Sequence, residues 1–292
     1  MASGTNLNQM ILVRIGKQLA EILEKKKKTG QRIGFVPTMG ALHAGHLELL
    51  KKAKADCDIV VCSIFINPTQ FNDPEDFKKY PVTIEADILL LEKAGCDILF
   101  LPAVDEVYKK GIDNLKQYEL GFIETILEGK FRPGHFQGVC QVVHRLLQNV
   151  LPHILFLGQK DYQQCMVLKK LLVLTQLQDT ISINILPTVR EKDGLAMSSR
   201  NLRLSEEARK LAPLLPAALV QLKENLKAGN TKEQIQPAVT RLNEAGFKTE
   251  YIELANAETL EIITNWDGKQ KAVLLTAAFI GSVRLIDNII IN

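Results

Sequence analysis

Short apolar runs alternate with amphipathic stretches along the first two thirds of the chain. The runs are nearly continuous, which is typical of strands covered on both faces. Between them, apolar residues recur at three- and four-residue spacing, which predicts helices. The predicted strands are 33–36, 58–67, 98–102, 154–158 and 181–187, and the predicted helices include 46–55, 84–94, 138–149 and 162–175.

The N-terminal segment also has helical spacing. Apolar residues at positions 11, 12, 15, 19, 22 and 23 predict a helix that ends in the lysine run 25–28, just before Gly30. Cations favour helix C-termini, and glycine commonly follows a helix. The lysine run is therefore predicted to be a solvated helix end rather than a nucleic-acid patch.

The alternation of strands and helices predicts an α/β fold: a doubly wound parallel-sheet (Rossmann-like) N-terminal domain with right-handed crossovers. After residue 187 the pattern changes. Helical stretches near 206–226 and 232–245 precede strand-like runs at 249–255, 271–277 and 282–291, which predicts a smaller α+β C-terminal domain. The expected domains are residues 1–187 and 188–292, joined near Thr188.

Composition narrows the class of protein. The 292 residues are 46% hydrophobic and 24% charged, as in ordinary globular proteins, and a net charge of +3 gives little reason to expect a polyanionic partner. The five cysteines are odd in number and form no Cys-x-x-Cys motif, so buried free thiols in a reducing cytoplasm are predicted. Neither a signal peptide nor a membrane span is expected.

The most informative motif is PTMGALHAGH at residues 37–46, between a predicted strand and a predicted helix. A helix N-terminus offers unpaired N–H groups and the positive end of a dipole, both suited to phosphate. His43 and His46, three residues apart, could donate hydrogen bonds to the same anion. They could alternatively ligate zinc, but no cysteine pair or nearby carboxylate completes a tetrahedral set.

Two further clusters follow predicted strands. SIFINPTQF at 63–71 makes two amides, Asn67 and Gln70, available at the strand tip, where they suit a ligand with hydroxyl and carboxylate groups. In GQKDYQQ at 158–164, Lys160 could bind phosphate as a point charge. Asp161 could equally cap the next helix, and Gln164 lies one turn into that helix.

DGLAMSSRN at 193–201 offers two hydroxyls, an arginine and loop N–H groups, which suit a second phosphate cradle. The alternative is a polar linker that caps the next helix. Arg132 and His135 belong to RPGHFQGV at 132–139, which alone predicts only a turn. His144 and His153 lie outside the motifs and are interpreted as structural or surface residues.

Together these motifs, with Tyr80-Pro81 followed by Asp87, resemble the pantoate–β-alanine ligase (pantothenate synthetase) family over nearly the whole chain. Residues 43–46 are similar to the HIGH motif of its nucleotidyltransferase superfamily. The resemblance implies a ligase that joins pantoate to β-alanine with ATP through a pantoyl adenylate, releasing AMP and pyrophosphate, in the biosynthesis of pantothenate and coenzyme A. The second cradle corresponds to the superfamily's KMSKS segment but has no lysine, and many relatives have glutamate where Gln159 stands.

The resemblance also implies roles for individual residues. His46 would be a proton donor, acting with His43, Lys160 and Arg200. Gln70 and Gln164 would hold pantoate, Gln70 would also bind β-alanine, and Asp87 is a candidate Mg²⁺ ligand. The implied ATP-binding residues are Met39, Gly40, Ala41, Leu42, His43, Ala44, Gly45, His46, Gly158, Gln159, Lys160, Asp161, Val189, Met197, Ser198, Ser199 and Arg200.

The resemblance further implies a cytoplasmic homodimer that uses ATP and Mg²⁺, acts on small molecules and binds neither nucleic acid nor membrane. Its C-terminal domain would serve as a lid. The alternative function is that of a nucleotidylyltransferase of the same superfamily, which would transfer a nucleotide to another small substrate and stop there. The two glutamines and the C-terminal domain argue against it, and release of AMP would distinguish the two.

Overall fold

A computed structural model describes residues 9–72, 74–113 and 115–292. The described chain forms two compact units. Unit 1 contains the residues up to 120 together with 132–158 and 167–186, and unit 2 contains 121–131, 159–166 and 187–292. The domain boundary expected near Thr188 stays a prediction. The expectation that no signal peptide is present concerns a region whose residues 1–8 lie outside the described chain.

Eleven strands and eleven helices are found in the described ranges, apart from short 3-10 turns. The strands are β1 Ile11–Val13, β2 Ile33–Thr38, β3 Ile59–Ile64, β4 Ile98–Phe100, β5 Ile154–Gly158, β6 Ser182–Leu186, β7 Gly229–Asn230, β8 Phe247–Asn256, β9 Asn265–Trp266, β10 Ala272–Ile280 and β11 Val283–Ile291. The helices are α1 Gly16–Lys28, α2 Ala44–Asp56, α3 Pro74–Lys78, α4 Ile84–Lys93, α5 Val104–Val107, α6 Leu127–Phe131, α7 His135–Val150, α8 Tyr162–Leu174, α9 Glu206–Leu211, α10 Leu214–Asn225 and α11 Thr231–Glu244.

Unit 1 is built on a six-stranded parallel sheet in the order β1-β4-β3-β2-β5-β6. In the centre, Phe35 of β2 is in register with Val61 of β3 and Leu155 of β5. From β2 in the centre, the chain adds β3 and then β4 toward one edge of the sheet. It then returns to the centre and adds β5 and β6 toward the opposite edge. In such sheets ligands bind beyond the carboxyl ends of strands at this reversal, here the ends of β2 and β5.

Helices cover both faces of this sheet, which confirms the predicted doubly wound fold. α2 packs on β2, β3 and β5, and α1 packs against α7. One face of the core contains Leu50 of α2 and Leu91 of α4 over Val36 and Phe156, all fully buried. Because the strands are buried on both faces, they appear in the sequence as continuous apolar runs.

The prediction of one helix starting near residue 11 is wrong. Ile11–Val13 form β1, an edge strand paired in parallel with β4, and the helix begins at Gly16. Val13 is buried while Ile11 and Leu12 are exposed. Since three residues at an edge fit strand and helix spacing equally well, only the pairing with Ile98–Phe100 decides between them.

Unit 2 contains a three-stranded antiparallel sheet in the order β11-β10-β8 and a small pair of strands, β7 and β9. α11 packs on β8, and α10 packs on β10 and β11. The predicted helical stretch 206–226 is divided at Ala212 and Pro213 into α9 and α10, because proline has no N–H to continue the helical ladder. The predicted α+β character of this region is confirmed.

Within the described ranges, no helix combines the length and apolar character that crossing a membrane requires.

Candidate active site

The turn after β2, residues 39–46, is the first part of the candidate site, and we call it the histidine turn. Gly40 and Ala41 have φ angles of 79° and 49°, in the left-handed region that residues other than glycine seldom adopt. Thr38 Oγ1 donates to the Ser63 carbonyl at 2.8 Å and accepts the Gly40 N–H at 3.2 Å. The turn is thus fixed at its start by the end of β2.

Asp87 holds the middle of this turn. Its carboxylate, only 1% exposed, accepts the N–H groups of Ala41 at 2.9 Å and Leu42 at 2.8 Å, and the hydroxyl of Thr83 at 3.1 Å. Both carboxylate oxygens are therefore engaged by protein donors. The carboxylate accepts backbone N–H groups that point into the protein where the chain is left-handed. These contacts show that Asp87 stabilises the turn.

His43 and His46 cap the N-terminus of α2 reciprocally. The Nδ1 atom of His43 accepts the Gly45 N–H at 3.2 Å, and the Nδ1 atom of His46 accepts the His43 N–H at 3.3 Å. The two rings lie 4.1 Å apart between centroids. Since each Nδ1 accepts a hydrogen bond, the neutral rings carry their proton on Nε2. The sequence therefore places two Nε2–H donors side by side at a helix N-terminus, an arrangement suited to an anion.

The turn after β3, residues 67–70, is the second part in unit 1, and we call it the amide turn. The prediction that the Asn67 amide is available to a ligand is wrong. Asn67 is fully buried, its Oδ1 accepts the Tyr108 hydroxyl at 2.6 Å, and its Nδ2 donates to Gln70 Oε1 at 3.2 Å and the Gly138 carbonyl at 3.1 Å. A buried amide with these partners serves the turn itself.

Gln70 is held by both its side chain and its backbone. Its Nε2 lies 2.8 Å from the Met39 sulfur, which joins the amide turn to the histidine turn. Its carbonyl accepts a hydrogen bond from His135 Nδ1 at 2.8 Å, while His135 Nε2 lies 3.1 Å from an Arg132 nitrogen. With Nδ1 as the donor, Nε2 can accept from the guanidinium. Arg132 and His135 thus position Gln70, which the turn-like sequence RPGH does not reveal.

Tyr108 and Gly138 complete the support of the amide turn, and no sequence motif pointed to either role. Burial raises the pKa of Tyr108, so its hydroxyl remains a donor to Asn67. The guanidinium of Arg145 lies 4.9 Å from the centroid of the same ring. A Cβ at Gly138 would lie 2.3 Å from the Thr69 carbonyl oxygen, so only glycine allows α7 to approach the turn this closely.

In unit 2, residues 159–161 form a 3-10 turn that we call the lysine turn. Lys160 lies 3.7 Å from Asp161 between Nζ and Oδ1, and its side chain is 19% exposed. Gln159 Nε2 donates to Asn288 Oδ1 at 3.1 Å, and Asn288 Nδ2 donates to the carbonyls of Gln159 and Lys160, both at 2.9 Å. Asn288 was missed by sequence reasoning because it lies in a strand more than a hundred residues away.

The two glutamines that follow the lysine turn differ in burial. Gln164 is half-buried near the start of α8. Gln163 is buried, accepts the Glu128 N–H at 2.9 Å, and donates to the carbonyls of Ile123 at 2.7 Å and Ile126 at 3.0 Å. Gln163 therefore secures the segment 121–131 within unit 2, and Gln164 stays the predicted ligand-binding member of the pair.

Residues 189–200, also in unit 2, form what we call the serine loop. The Met197 N–H donates to the Val189 carbonyl at 3.0 Å, so the two residues predicted to bind ATP meet across the loop. Ser198 caps a 3-10 turn by accepting the Arg200 N–H at 3.2 Å, and Ser199 is buried. Ser198 thus caps the 3-10 turn rather than the next helix, whose cap is Ser205, and the phosphate cradle stays a prediction.

His144 and His153 are structural residues, as interpreted from the sequence. His144 Nδ1 lies 2.6 Å from the Tyr118 hydroxyl, and His153 Nδ1 accepts the Ile33 N–H at 2.8 Å. Burial lowers the pKa of both imidazoles, assisted at His153 by the positive charges of Lys27 and Arg32.

Known proteins resemble this chain over almost its full length. A sequence model of the family described as pantoate-beta-alanine ligase matches residues 12–290. A pantothenate synthetase of Cytophaga hutchinsonii is 42% identical, covering 97% of this chain and 99% of its own. One of Phocaeicola vulgatus is 41% identical, covering 96% and 99%.

Solved structures give the same result. A pantothenate synthetase from Thermus thermophilus matches with a TM-score of 0.85 and 38% identity, over 96% of this chain and 99% of that one. A pantoate-beta-alanine ligase from Francisella tularensis, complexed with beta-gamma ATP and beta-alanine, matches with a TM-score of 0.81 and 39% identity, over 96% and 97%.

Proposed function

We infer that this chain, which belongs to the pantoate–β-alanine ligase family, uses ATP to join pantoate to β-alanine. The observation that carries the inference is the reciprocal histidine cap at the N-terminus of α2, in a chain that matches the family from residue 12 to 290. The enzyme is a ligase of pantothenate biosynthesis.

We propose that the reaction passes through a pantoyl adenylate. The pantoate carboxylate attacks the α-phosphate of ATP and pyrophosphate leaves, so negative charge must be stabilised where it develops. The Nε2–H groups of His43 and His46, the Lys160 ammonium and the Arg200 guanidinium are suited to this role. His46 would donate toward the departing charge, and Gly158, Gln159, Asp161, Val189 and the serine loop would contact the nucleotide.

Pantoate would be bound by Gln70 and Gln164, whose amides both donate and accept hydrogen bonds. Gln70 would also contact β-alanine in the second step, in which the amine attacks the mixed anhydride and AMP leaves. Because the backbone and the side chain of Gln70 are both held in place, its amide is positioned before the substrate arrives.

Mg²⁺ is proposed to accompany the phosphates of ATP. Asp87 stays the predicted protein ligand, because an ionised carboxylate has about four acceptor sites and the three protein donors occupy only part of them. No group of three His, Cys, Asp or Glu residues in the described ranges could hold a metal ion. Mg²⁺ commonly keeps several waters and binds through substrate phosphates, which requires no protein cage.

The cellular setting is proposed from the family and from the cysteines. Cys57, Cys62, Cys96, Cys140 and Cys165 are free and buried, which supports a reducing compartment such as the cytoplasm. We propose that the enzyme works there as a homodimer on small molecules rather than on nucleic acid or membranes, and that residues 188–292 act as a lid.

Isotope exchange between ATP and pyrophosphate tests the proposal. Exchange should require pantoate and proceed without β-alanine, because the adenylate forms first. Adding β-alanine should then give AMP and pantothenate in equal amounts. Exchange that is equally fast without pantoate would contradict the assignment, and transfer of the nucleotide without release of AMP would favour a nucleotidylyltransferase.

A further inference from the structure

Two consecutive polar residues of β11, Asp287 and Asn288, are buried in unit 2, with 4% and 2% of their surface exposed. Side chains of consecutive strand residues point to opposite sides, so the two reach different neighbours. Buried polar groups are costly unless their hydrogen bonds are made. The partners of these two residues therefore show what they support.

Asn288 supports the lysine turn. Its Nδ2 donates to the carbonyls of Gln159 and Lys160, both at 2.9 Å, and its Oδ1 accepts from Gln159 Nε2 at 3.1 Å. The two carbonyl partners fix the orientation of the amide, since a flipped amide would face them with an oxygen. The backbone carbonyl of Lys160 is thus held by a hydrogen bond from a residue of β11.

Asp287 supports the serine loop through Arg190. The carboxylate binds the guanidinium in bidentate fashion, at 2.7 Å and 2.9 Å, and the same guanidinium donates to the Gly194 carbonyl at 3.0 Å. The Asn288 N–H donates to Asp287 Oδ1 at 2.7 Å, which links the two halves of the pair. β11 also packs on the 3-10 turn that begins at Ser199.

We propose that Asp287 and Asn288 are positioning residues that hold the lysine turn and the serine loop at a fixed spacing matched to the phosphates of ATP. The inference rests on the proposed function, which assigns both segments to ATP. The bidentate Asp287–Arg190 ion pair and the three hydrogen bonds of the Asn288 amide set both the distance and the orientation of the segments they hold. Apolar packing is less directional and would not fix the orientation in the same way. Substitution of Asp287 or Asn288 should therefore change nucleotide binding, although neither residue is proposed to touch the nucleotide.

The Asn288 half of the proposal is tested by a double-mutant cycle on calorimetric affinity for ATP. Asn288→Ala should weaken ATP binding about tenfold, the scale of one lost hydrogen-bonding arrangement. In a Lys160→Ala background the same change should have a much smaller effect, because Asn288 acts largely through the position of Lys160. Effects that multiply independently in the double variant would overturn the proposal for Asn288.

The Asp287 half is tested by Asp287→Asn, which keeps the shape and removes the charge that Arg190 binds. ATP affinity should fall, and amide hydrogen exchange should accelerate at residues 190–200 but not at 231–244 in α11. Unchanged exchange in the serine loop would overturn this half.

Leu285→Ala is the control for simple loss of stability, because Leu285 is a buried core residue of the same strand. It should lower the melting temperature at least as much as Asn288→Ala and leave ATP affinity near that of the wild type. If Leu285→Ala weakened ATP binding equally, β11 would act only through stability.

The wild-type protein separates this inference from the proposed function. A wild type that binds ATP but shows no pantoate-dependent exchange would contradict the proposed reaction, while the ATP affinities of the variants would still decide the positioning role. A wild type that binds no ATP would overturn both.

Discussion

At the scale of single residues, His43 and His46 divide two tasks between the two nitrogens of each ring. Nδ1 accepts a backbone N–H and caps α2, and Nε2 carries the proton. The cap fixes which nitrogen is the donor, so the chemistry of the ring follows from its structural contact. A substitution can therefore remove one task and keep the other.

Two variants of His46 separate these tasks. In His46→Asn the amide oxygen can replace Nδ1 in the cap but nothing replaces Nε2–H, so we expect adenylation to fall by about 10²–10³-fold, the usual cost of one preorganised donor. In His46→Gln the amide oxygen can accept the His43 N–H, as glutamine does at this position of a capping box, and its NH2 group can supply a donor, so this variant should keep its thermal stability and retain more activity than His46→Asn. Single-turnover adenylation and melting curves measure the two effects. Equal activity of both variants with the wild type would remove Nε2–H from the mechanism.

At the scale of elements, the turns after β2 and β3 are supported by residues far away in the sequence. Asp87 of α4 holds the histidine turn, and Tyr108, His135 and Gly138 hold the amide turn. Asp87 binds backbone N–H groups of the histidine turn, whereas the amide turn is held through both the Gln70 carbonyl and the Asn67 side chain. The geometry of the candidate site is thus decided by the elements around it as much as by the motifs that contain the chemistry.

Gly138→Ala should disturb the amide turn. The added Cβ would meet the Thr69 carbonyl oxygen at 2.3 Å and Gln70 Cα at 2.8 Å, and backbone atoms cannot yield as a flexible side chain does. We expect a loss of about 1–3 kcal/mol in the free energy of unfolding, typical of overpacking, and weaker use of pantoate. Gly158→Ala is the matched control for stability, since a Cβ there meets nothing within 4 Å. Denaturant unfolding that gives both variants the same stability would contradict the close approach of α7.

The pH dependence of stability should contain a contribution from His153, which joins the start of β5 to β2. Burial, with the charges of Lys27 and Arg32, lowers the pKa of this imidazole, and its Nδ1 accepts the Ile33 N–H. The unfolded chain therefore binds the proton more readily than the folded one. This contribution is complete above the ordinary histidine pKa of about 6.5 and is lost as the pH falls below it.

Melting temperatures between pH 8 and pH 5 measure this effect. His153→Asn keeps an acceptor for the Ile33 N–H without the titrating ring, so its melting temperature should fall less steeply below about pH 6.5 than that of the wild type. Parallel curves for the two proteins would show that His153 does not contribute. His144, whose pKa is also lowered by burial, should account for part of the slope that remains.

At the scale of the whole molecule, the residues predicted to bind ATP belong to both compact units. The histidine turn lies in unit 1, and the lysine turn and serine loop lie in unit 2. If ATP uses both sets, ligand should protect backbone amides in both units. We expect a non-hydrolysable ATP analogue with Mg²⁺ to slow hydrogen exchange at 39–46 and at 188–201, and to leave α11 at 231–244 unchanged. Mass spectrometry that finds protection only at 39–46 would show that the serine loop does not bind the nucleotide.

The sequence alone determined the central strands, the helices between them and the parallel α/β class, because burial on both faces leaves continuous apolar runs between amphipathic stretches. It also located the histidine turn, since glycines and two histidines between a strand and a helix favour an anion-binding turn over an ordinary connection. The family followed from several motifs in one order along the chain.

Tertiary structure decided what local patterns leave open. It made Ile11–Val13 an edge strand through pairing with β4, and it turned Asn67 from an expected ligand contact into a buried support. It also brought Asp87 to the histidine turn and Asn288 to the lysine turn. The hydrogen bond from Ala41 to Asp87 spans 46 positions of the chain, and the bond from Asn288 to the Lys160 carbonyl spans 128. Local sequence spacing carries no information about partners that far apart.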